Sequence, residues 1–299
     1  MVNFTILTPT YNRGELLYRV YESLKKQTFK SFEWIIVDDG SIDNTKQVVD
    51  RLIKDGEIKI KYIPKFNGGK HTAVNEGLNH AEGKLLIVLD SDDELVENAL
   101  EVFYRYWDKI FDENNKIVSV SGLDIYKDSG NIVGDKFEQD EFISDHIECK
   151  LKMNIQGDKA EVYRTDVLKQ FPFPEIKGEK FVTEDIVYNQ IALAGYKTIY
   201  INKPIKIIEY LEDGLTSRSY ELSMNNPNGK MIIFNQYISM KQIGIKRRIR
   251  AGFSYCRFGF LANKSISEQY QMSNNKFIFL LSIGVGYIIY TKDKIKNKM

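Results

Sequence analysis

The chain has 299 residues, 43% of them apolar, which is enough for a full hydrophobic core and too apolar for a disordered chain. Its 42 basic and 41 acidic residues leave a net charge of +1, so there is no global pull toward nucleic acid. Two distant cysteines, Cys149 and Cys256, and three scattered histidines exclude a disulfide framework and a Cys/His zinc site.

The opening "MVNFTILTPTYNR" lacks a basic segment followed by a long apolar run, so it does not read as a secretory signal, and a cytoplasmic or cytoplasm-facing protein is expected. Short apolar, β-rich runs then occur at 4–7, 34–37, 58–63 and 85–89. Helical patterns at 15–26, 44–54, 70–81 and 97–107 alternate with them. Such alternation predicts βαβ units in an α/β fold, with a mostly parallel sheet covered by helices on both faces. The runs are continuous rather than alternating, as strands buried on both sides should be. Residues 116–126 read as a strand plus turn, and the polar stretch 127–150 as a long loop or hairpin. "DKAEVYRTDVLKQF" reads as a strand entering a helix. "FVTEDIVYNQIALAGYK" reads as a helix with Thr183 as cap and Gly195 as stop. A strand region follows at "KTIYINKPIKIIEYL", and from Ser219 onward the pattern is helical and basic. Near the end, 277–290 is apolar and set among lysines. It is shorter than the roughly 18 residues a membrane span requires; lysine flanks with an apolar face favour interfacial docking, and a helix that covers the α/β domain is the alternative.

Ligands of parallel sheets bind at the carboxyl ends of strands. There the first run gives Thr8-Pro9-Thr10-Tyr11-Asn12, the second Asp38-Asp39-Gly40-Ser41 and the fourth Asp90-Ser91-Asp92-Asp93. Carboxylates without Cys or His neighbours suit a hard divalent cation, Mg²⁺ or Mn²⁺, which keeps waters and substrate phosphates in its shell. Asp90 and Asp92 are the expected metal ligands. Asp93 and Glu94 are expected to brace the turn and the following helix start. "FNGGKHTAVNEGL" is a glycine turn opening a helix, a natural anion site with Lys70 beside it. It matches neither the ATP P-loop nor the dinucleotide fingerprint.

The motifs "ILTPTYNR", "WIIVDDGSIDNT", "NGGKHTAVNEGL", "AEGKLLIVLDSDDEL" and "FVTEDIVYNQIA" fall in this order. Together they resemble the family 2 glycosyltransferases of the GT-A fold, of the bacterial surface-polysaccharide type, over about residues 3–215. The resemblance implies a transferase domain at 1–215, with a nucleotide-sugar half at 1–94 and an acceptor half at 95–215. A helical, basic region at 216–299 that associates with membrane would follow. It implies an inverting, metal-dependent hexosyl- or N-acetylhexosaminyltransferase. The donor would be a nucleotide sugar, a UDP-sugar in this reading, and the acceptor a hydroxyl of a glycan or lipid-linked glycan at the cytoplasmic face of the membrane. Carried over by motif, Pro9 and Tyr11 flank the nucleobase and Asp39 bonds the base or ribose. Asn67 and Lys70 lie near the nucleotide, Asp90 contacts ribose or sugar, and Asp92 holds the metal. The base falls on Asp185, with Glu184 its rival. The chain departs from the family where Val74 stands before Asn75 in place of an arginine. In the loop 212–220 there is no histidine, and Arg218 is the substitute phosphate contact. Asp158, Lys159 and Lys180 fall on the acceptor side by position, although ordinary surface charge is the reading their sequence context favours. Two competing readings are a metal-dependent phosphoryl-transfer or hydrolytic enzyme, and a non-catalytic nucleotide-sugar binding subunit. The first is disfavoured because the opening strand ends in Thr-Pro-Thr rather than a nucleophilic aspartate.

Overall fold

The expected alternation of strands and helices is present in the computed structural model, which describes residues 2–211, 214 and 216–296. The chain divides into two compact units. One comprises residues 1–173 and 190–210, and the other 174–189 and 211–299.

The first unit is built on a nine-stranded sheet. Its elements begin with β1 (Phe4–Thr10), α1 (Leu17–Lys25), β2 (Phe32–Asp38), α2 (Thr45–Asp55), β3 (Ile60–Pro64), α3 (Lys70–His80) and β4 (Leu85–Val88). Strands β3, β2, β1 and β4 lie side by side in that order, all parallel. Even-numbered β1 and β2 residues, Phe4, Ile6, Trp34 and Ile36, share one core with Leu17, Val20 and Leu24 of α1 and Val48 and Val49 of α2. The opposite face meets α3. A Cβ on Gly77 would come within 2.1 Å of a Leu7 methyl and 3.0 Å of Val37, so only glycine lets α3 approach this closely. Both faces of β1, β2 and β4 are therefore covered, which is why these strands are mostly apolar on both faces, with polar residues such as Thr5 and Glu33 hydrogen-bonded to each other.

The unit continues with β5 (Glu94–Leu95), α4 (Ala99–Tyr104), α5 (Trp107–Ile110), β6 (Ile117–Tyr126), β7 (Glu141–Ser144), β8 (Lys159–Arg164) and α6 (Thr165–Leu168). Next come α7 (Asp185–Leu193), whose first five residues group with the second unit, and β9 (Lys197–Ile208). Here pairing is mixed. β6 runs parallel to β9, while β8 lies antiparallel to both β4 and β6, and β5 and β7 antiparallel to β9. The single helix expected over 97–107 is two short ones, α4 and α5, that end and restart around Arg105 and Tyr106. The polar stretch expected as loop or hairpin contains edge strand β7. The reading of Gly195 as the stop of α7 matches its left-handed φ of +87°.

The second unit is helical: α8 (Ser219–Asn225), α9 (Pro227–Ser239), α10 (Ile245–Leu261), α11 (Ile266–Met272) and α12 (Lys276–Lys296). Its core joins Met231 and Ile238 to Tyr255, Cys256, Phe258, Ile278 and Phe279. Glu179, buried, accepts the backbone N–H groups of Asn228 and Gly229 at the start of α9, a carboxylate on a helix N-terminus. No helix among the described residues is long and apolar enough to cross a membrane.

Candidate active site at the carboxyl edge of the parallel strands

Each parallel strand delivers a polar loop to the same edge of the sheet. Pro9 lies past the last β1–β4 pair, Leu7 with Val88, so its missing N–H costs no ladder bond. Tyr11 follows and is 47% exposed, a ring presented to solvent rather than packed on the sheet. Asn12 adopts a left-handed φ of 52°. From there its side chain accepts the Ile42 N–H at 2.8 Å, and its own N–H donates to Ser41 Oγ at 2.8 Å. The loops after β1 and β2 are thus tied together.

Asp39, buried after β2, is the organiser of the glycine turn. Its Oδ1 accepts the Gly68 N–H and the Lys65 ammonium, both at 2.8 Å. Its Oδ2 accepts the Gly69 N–H at 2.7 Å and the Asn67 amide at 3.1 Å. A carboxylate has about four acceptor positions, and these four donors fill them. A base or ribose contact by Asp39 therefore requires one donor to give way. Asn67 also serves the turn, bonding the Asp39 carbonyl at 2.8 Å. Gly69, at φ +96°, then starts α3 and delivers Lys70.

Residues 90–93 form a tight turn closed by the Asp93 N–H on the Asp90 carbonyl at 3.1 Å. Its three aspartates each hold a different cation. Asp90 pairs with Lys70 at 2.7 Å, Asp92 with Arg13 at 2.5 Å and Asp93 with Lys206 of β9 at 3.1 Å. Arg19 adds a bond to the Asp92 carbonyl at 3.0 Å. Burial pushes the Asp90 carboxyl up, but the charges of Lys70, Lys206 and Arg13 outweigh it and hold it below its ordinary value. Asp93 goes the other way. Burial, then the neighbouring Asp90 and Asp92 charges, push it up to about 7 against the pull of Lys206. Asp93 therefore braces the turn as expected. Glu94 does not brace a helix start: it begins β5 and pairs with Arg19 and Lys127, while Asn98 precedes the helix.

Behind the turn Lys206 also reaches Asp124 of β6 at 3.3 Å, and Asp124 is fully buried. Burial raises Asp124 from 3.8 to about 6, with Lys206 pulling it back. An acid whose folded pKa is raised binds its proton more tightly in the native state. Its stabilisation is complete below the unfolded value and is lost as pH climbs through the folded one. Asp124→Asn removes that loss, so the variant should gain on the native chain as pH rises from about 4 to about 6, by on the order of 2 kcal/mol. Urea unfolding of both proteins across this range measures it; a pH-independent difference would remove Asp124 from the account.

The pairing of Asp90 and Asp92 also decides what cation they could take. The donors are oxygens only, partly open to solvent, and one residue apart in one turn. Among the described residues no group of three or more His, Cys, Asp or Glu side chains converges on an ion position. Two carboxylates without a closed protein cage fit Mg²⁺ or Mn²⁺, which complete their shells with water and phosphate oxygens.

The remaining expected residues are dispersed. Asn75 is structural, its amide donating to the Phe173 carbonyl and accepting the Phe173 N–H, both at 2.9 Å. Lys159 is not an ordinary surface charge. Burial lowers its pKa, and it caps the carbonyls of Gln156 at 3.0 Å and Val133 at 3.2 Å. Asp158 lies 3.5 Å from the Tyr210 hydroxyl. In the second unit, Asp185 is the first residue of α7, preceded by Glu184. Its charge acts on Lys230 of α9, whose pKa burial lowers and Asp185 partly restores. Lys180 is exposed, with its backbone N–H on Asn226 Oδ1 at 2.7 Å. Arg218 grips Glu221 through two bonds of 3.0 and 3.1 Å. Glu212, Asp213 and Leu215 of its loop lie outside the described residues.

Sequence reasoning missed Arg13, Lys65, Lys206 and Asp124. Arg13 stands inside a quoted motif and could have been found there. Lys206 and Asp124 depend on strand register, which one sequence does not reveal.

Comparisons with known proteins bear on the fold and the family. The sequence profile described as Glycosyl transferase family 2 matches residues 5–171. A GalNAc(5)-diNAcBac-PP-undecaprenol beta-1,3-glucosyltransferase of Campylobacter jejuni is 30% identical over 223 residues, covering 72% of this chain and 68% of that protein. Among solved structures, Staphylococcus aureus TarS (residues 1–349) in complex with UDP-GlcNAc superposes with a TM-score of 0.66 at 19% identity. That match covers 95% of this chain and 80% of the TarS 1–349 chain. The mannosyltransferase PcManGT of Pyrobaculum calidifontis, in complex with GDP-Man and Mn²⁺, gives 0.55 at 16% identity, covering 99% and 83%. At these identities the structures establish a common fold, the GT-A type expected above.

Proposed function

The chain belongs to glycosyl transferase family 2 and is a glycosyltransferase, and on that premise we propose that it moves a hexosyl or N-acetylhexosaminyl group from a UDP-sugar to a hydroxyl of a glycan or lipid-linked glycan. The transfer region is taken as 1–215, acting in surface-polysaccharide synthesis at the cytoplasmic face of the membrane. The observation that carries the reading is the turn at 90–93, where two partly exposed carboxylates stand against Lys70 and Arg13 at the strand edge that binds ligands in such sheets. A diphosphate brings the negative charge those two cations would follow.

In this reading Tyr11 stacks on the nucleobase beside Pro9, and Asp39 with Asn67 and Lys70 shapes the nucleotide pocket. Asp39 reaches base or ribose by exchanging one of its four donors. Asp90 touches ribose or donor sugar. Asp90 and Asp92 would hold a divalent cation, Mn²⁺ or Mg²⁺, whose charge when bound offsets the charge that builds on the leaving diphosphate. Asp185, with Glu184 the alternative, takes the acceptor hydroxyl proton. The acceptor oxygen bonds to the anomeric carbon on the face opposite the phosphate. The carbon–phosphate oxygen bond breaks, and its electron pair leaves with the nucleoside diphosphate. One displacement inverts the anomeric centre. Arg218 is assigned to the phosphates. The Campylobacter relative, named as a glucosyltransferase on an undecaprenol-linked glycan, and the UDP-GlcNAc and GDP-Man with Mn²⁺ complexes of the fold neighbours support donor and acceptor classes of this kind.

Incubation with a panel of nucleotide sugars, glycan acceptors and Mn²⁺ tests the reading. Acceptor-dependent release of nucleoside diphosphate is expected for one donor. Release of inorganic phosphate would favour a phosphoryl-transfer or hydrolytic enzyme, and binding without turnover a non-catalytic subunit.

A further inference from the structure

Charge is divided unevenly along the chain. Residues 240–299 contain 12 lysines and arginines against two acids, Glu268 and Asp293, a net +10. With +1 overall, residues 1–239 must therefore carry −9. Of the two acids, Asp293 is engaged by Arg257.

The same segment leaves one helix half uncovered. One face of α12 is pinned against α10 by small residues. A Cβ on Gly252 would strike Ser282 and Ile278, and one on Gly286 would strike Cys256. Ile278, Phe279, Ser282 and Gly286 are accordingly buried. The opposite face presents Phe277, Leu280, Leu281, Tyr287, Ile288 and Ile295, with exposures of 51% or more. Their spacing of three, four and seven residues lines them along one side of the helix. These contacts also make α10 and α12 run in the same direction. The exposed Lys246, Arg247 and Arg250 thus lie toward the Phe277 end of the stripe, and Lys292, Lys294 and Lys296 at the other.

We propose that this face of α12 docks on an anionic lipid surface, lying in the headgroup layer with its apolar stripe inserted and the basic residues at both ends on lipid phosphates. An apolar stripe of aliphatic and aromatic residues bordered by cations is the combination an anionic bilayer interface selects. A second copy of the chain is the poorer occupant, since it would bring one +10 segment against another. The helix lies on the bilayer rather than spanning it, as no described helix is long and apolar enough to cross. This docking is independent of the reaction assigned above: a chain that fails to bind lipid can still transfer sugar to a soluble acceptor.

Co-sedimentation of the full chain with phosphatidylcholine vesicles, with and without about a third phosphatidylglycerol, tests the proposal. Retention is expected on the anionic vesicles only, and release is expected in high salt. Leu281→Ser with Ile288→Ser should cut retention about tenfold or more while the circular dichroism spectrum stays unchanged, both side chains being on the solvent face. Equal retention on neutral vesicles, indifference to salt, or no binding by the native chain would overturn it. So would a stable dimer that dissociates in the double variant, as read by sedimentation velocity.

Discussion

Asp185→Asn should lower kcat by about 10³-fold while leaving donor affinity within about twofold of the native value. An amide keeps the size and polarity of the side chain but cannot take the acceptor proton. The lost step is therefore proton transfer, and donor binding by the 8–92 edge is untouched. Unchanged donor affinity in the variant separates a lost chemical step from misfolding, which would weaken both. Glu184→Gln is the paired control. The two residues are consecutive, and only Asp185 is a residue of α7 itself. If Glu184→Gln is the inactive variant and Asp185→Asn the active one, the base is Glu184. If both retain native turnover, neither is.

The second large effect is expected at Asp92. Asp92→Asn removes one of the two carboxylates assigned to the cation and leaves the Arg13 guanidinium without its 2.5 Å partner. Both changes act on the diphosphate, where charge builds as the sugar departs. Loss of kcat/KM should be on the order of 10²–10³-fold, and raising Mn²⁺ should recover part of it. Asp93→Asn separates this from simple damage to the turn. Asp93 faces Lys206 and is pushed up to about 7 mainly by burial, so its neutral form is already near at hand. Its amide should cost far less activity. Equal losses in the two variants would move the assignment from the cation to the turn's geometry.

How much of this was legible in the sequence follows from burial and register. β1, β2 and β4 are buried on both faces, so their cores read as continuous rather than alternating apolar runs, Ile6-Leu7, Trp34–Val37 and Leu85–Val88. Because the strand ends converge by topology, Asp39, Asn67, Lys70, Asp90 and Asp92 could be placed on one edge without coordinates. β5 and β7 were not legible. β5 has two residues, and β7 is a four-residue strand in a polar segment where pairing with β9, rather than composition, creates the strand. The partners of the acidic turn were hidden for the same reason. Lys206 reaches Asp93 and Asp124 only because β9 pairs with β5 on one side and β6 on the other. The segment 174–189 reads as part of the transferase stretch, yet it groups with the C-terminal helices, held there by Glu179 on α9 and by Asn189 on Gln236. In 277–290 the apolar residues surround the helix, so periodicity alone could not say which half is core; the glycine contacts with α10 decide it.

The edge bearing Asp90 and Asp92 is proposed above as a metal-assisted nucleotide-sugar site. Thermal unfolding of the native chain against a panel of nucleotide sugars, each with Mn²⁺ and with EDTA, measures it most directly. One donor, a UDP-sugar in this account, should raise Tm by about 5 °C at saturating concentration with Mn²⁺, and EDTA should abolish the shift. A panel in which no nucleotide sugar moves Tm, or in which the shift is the same in EDTA, would contradict it.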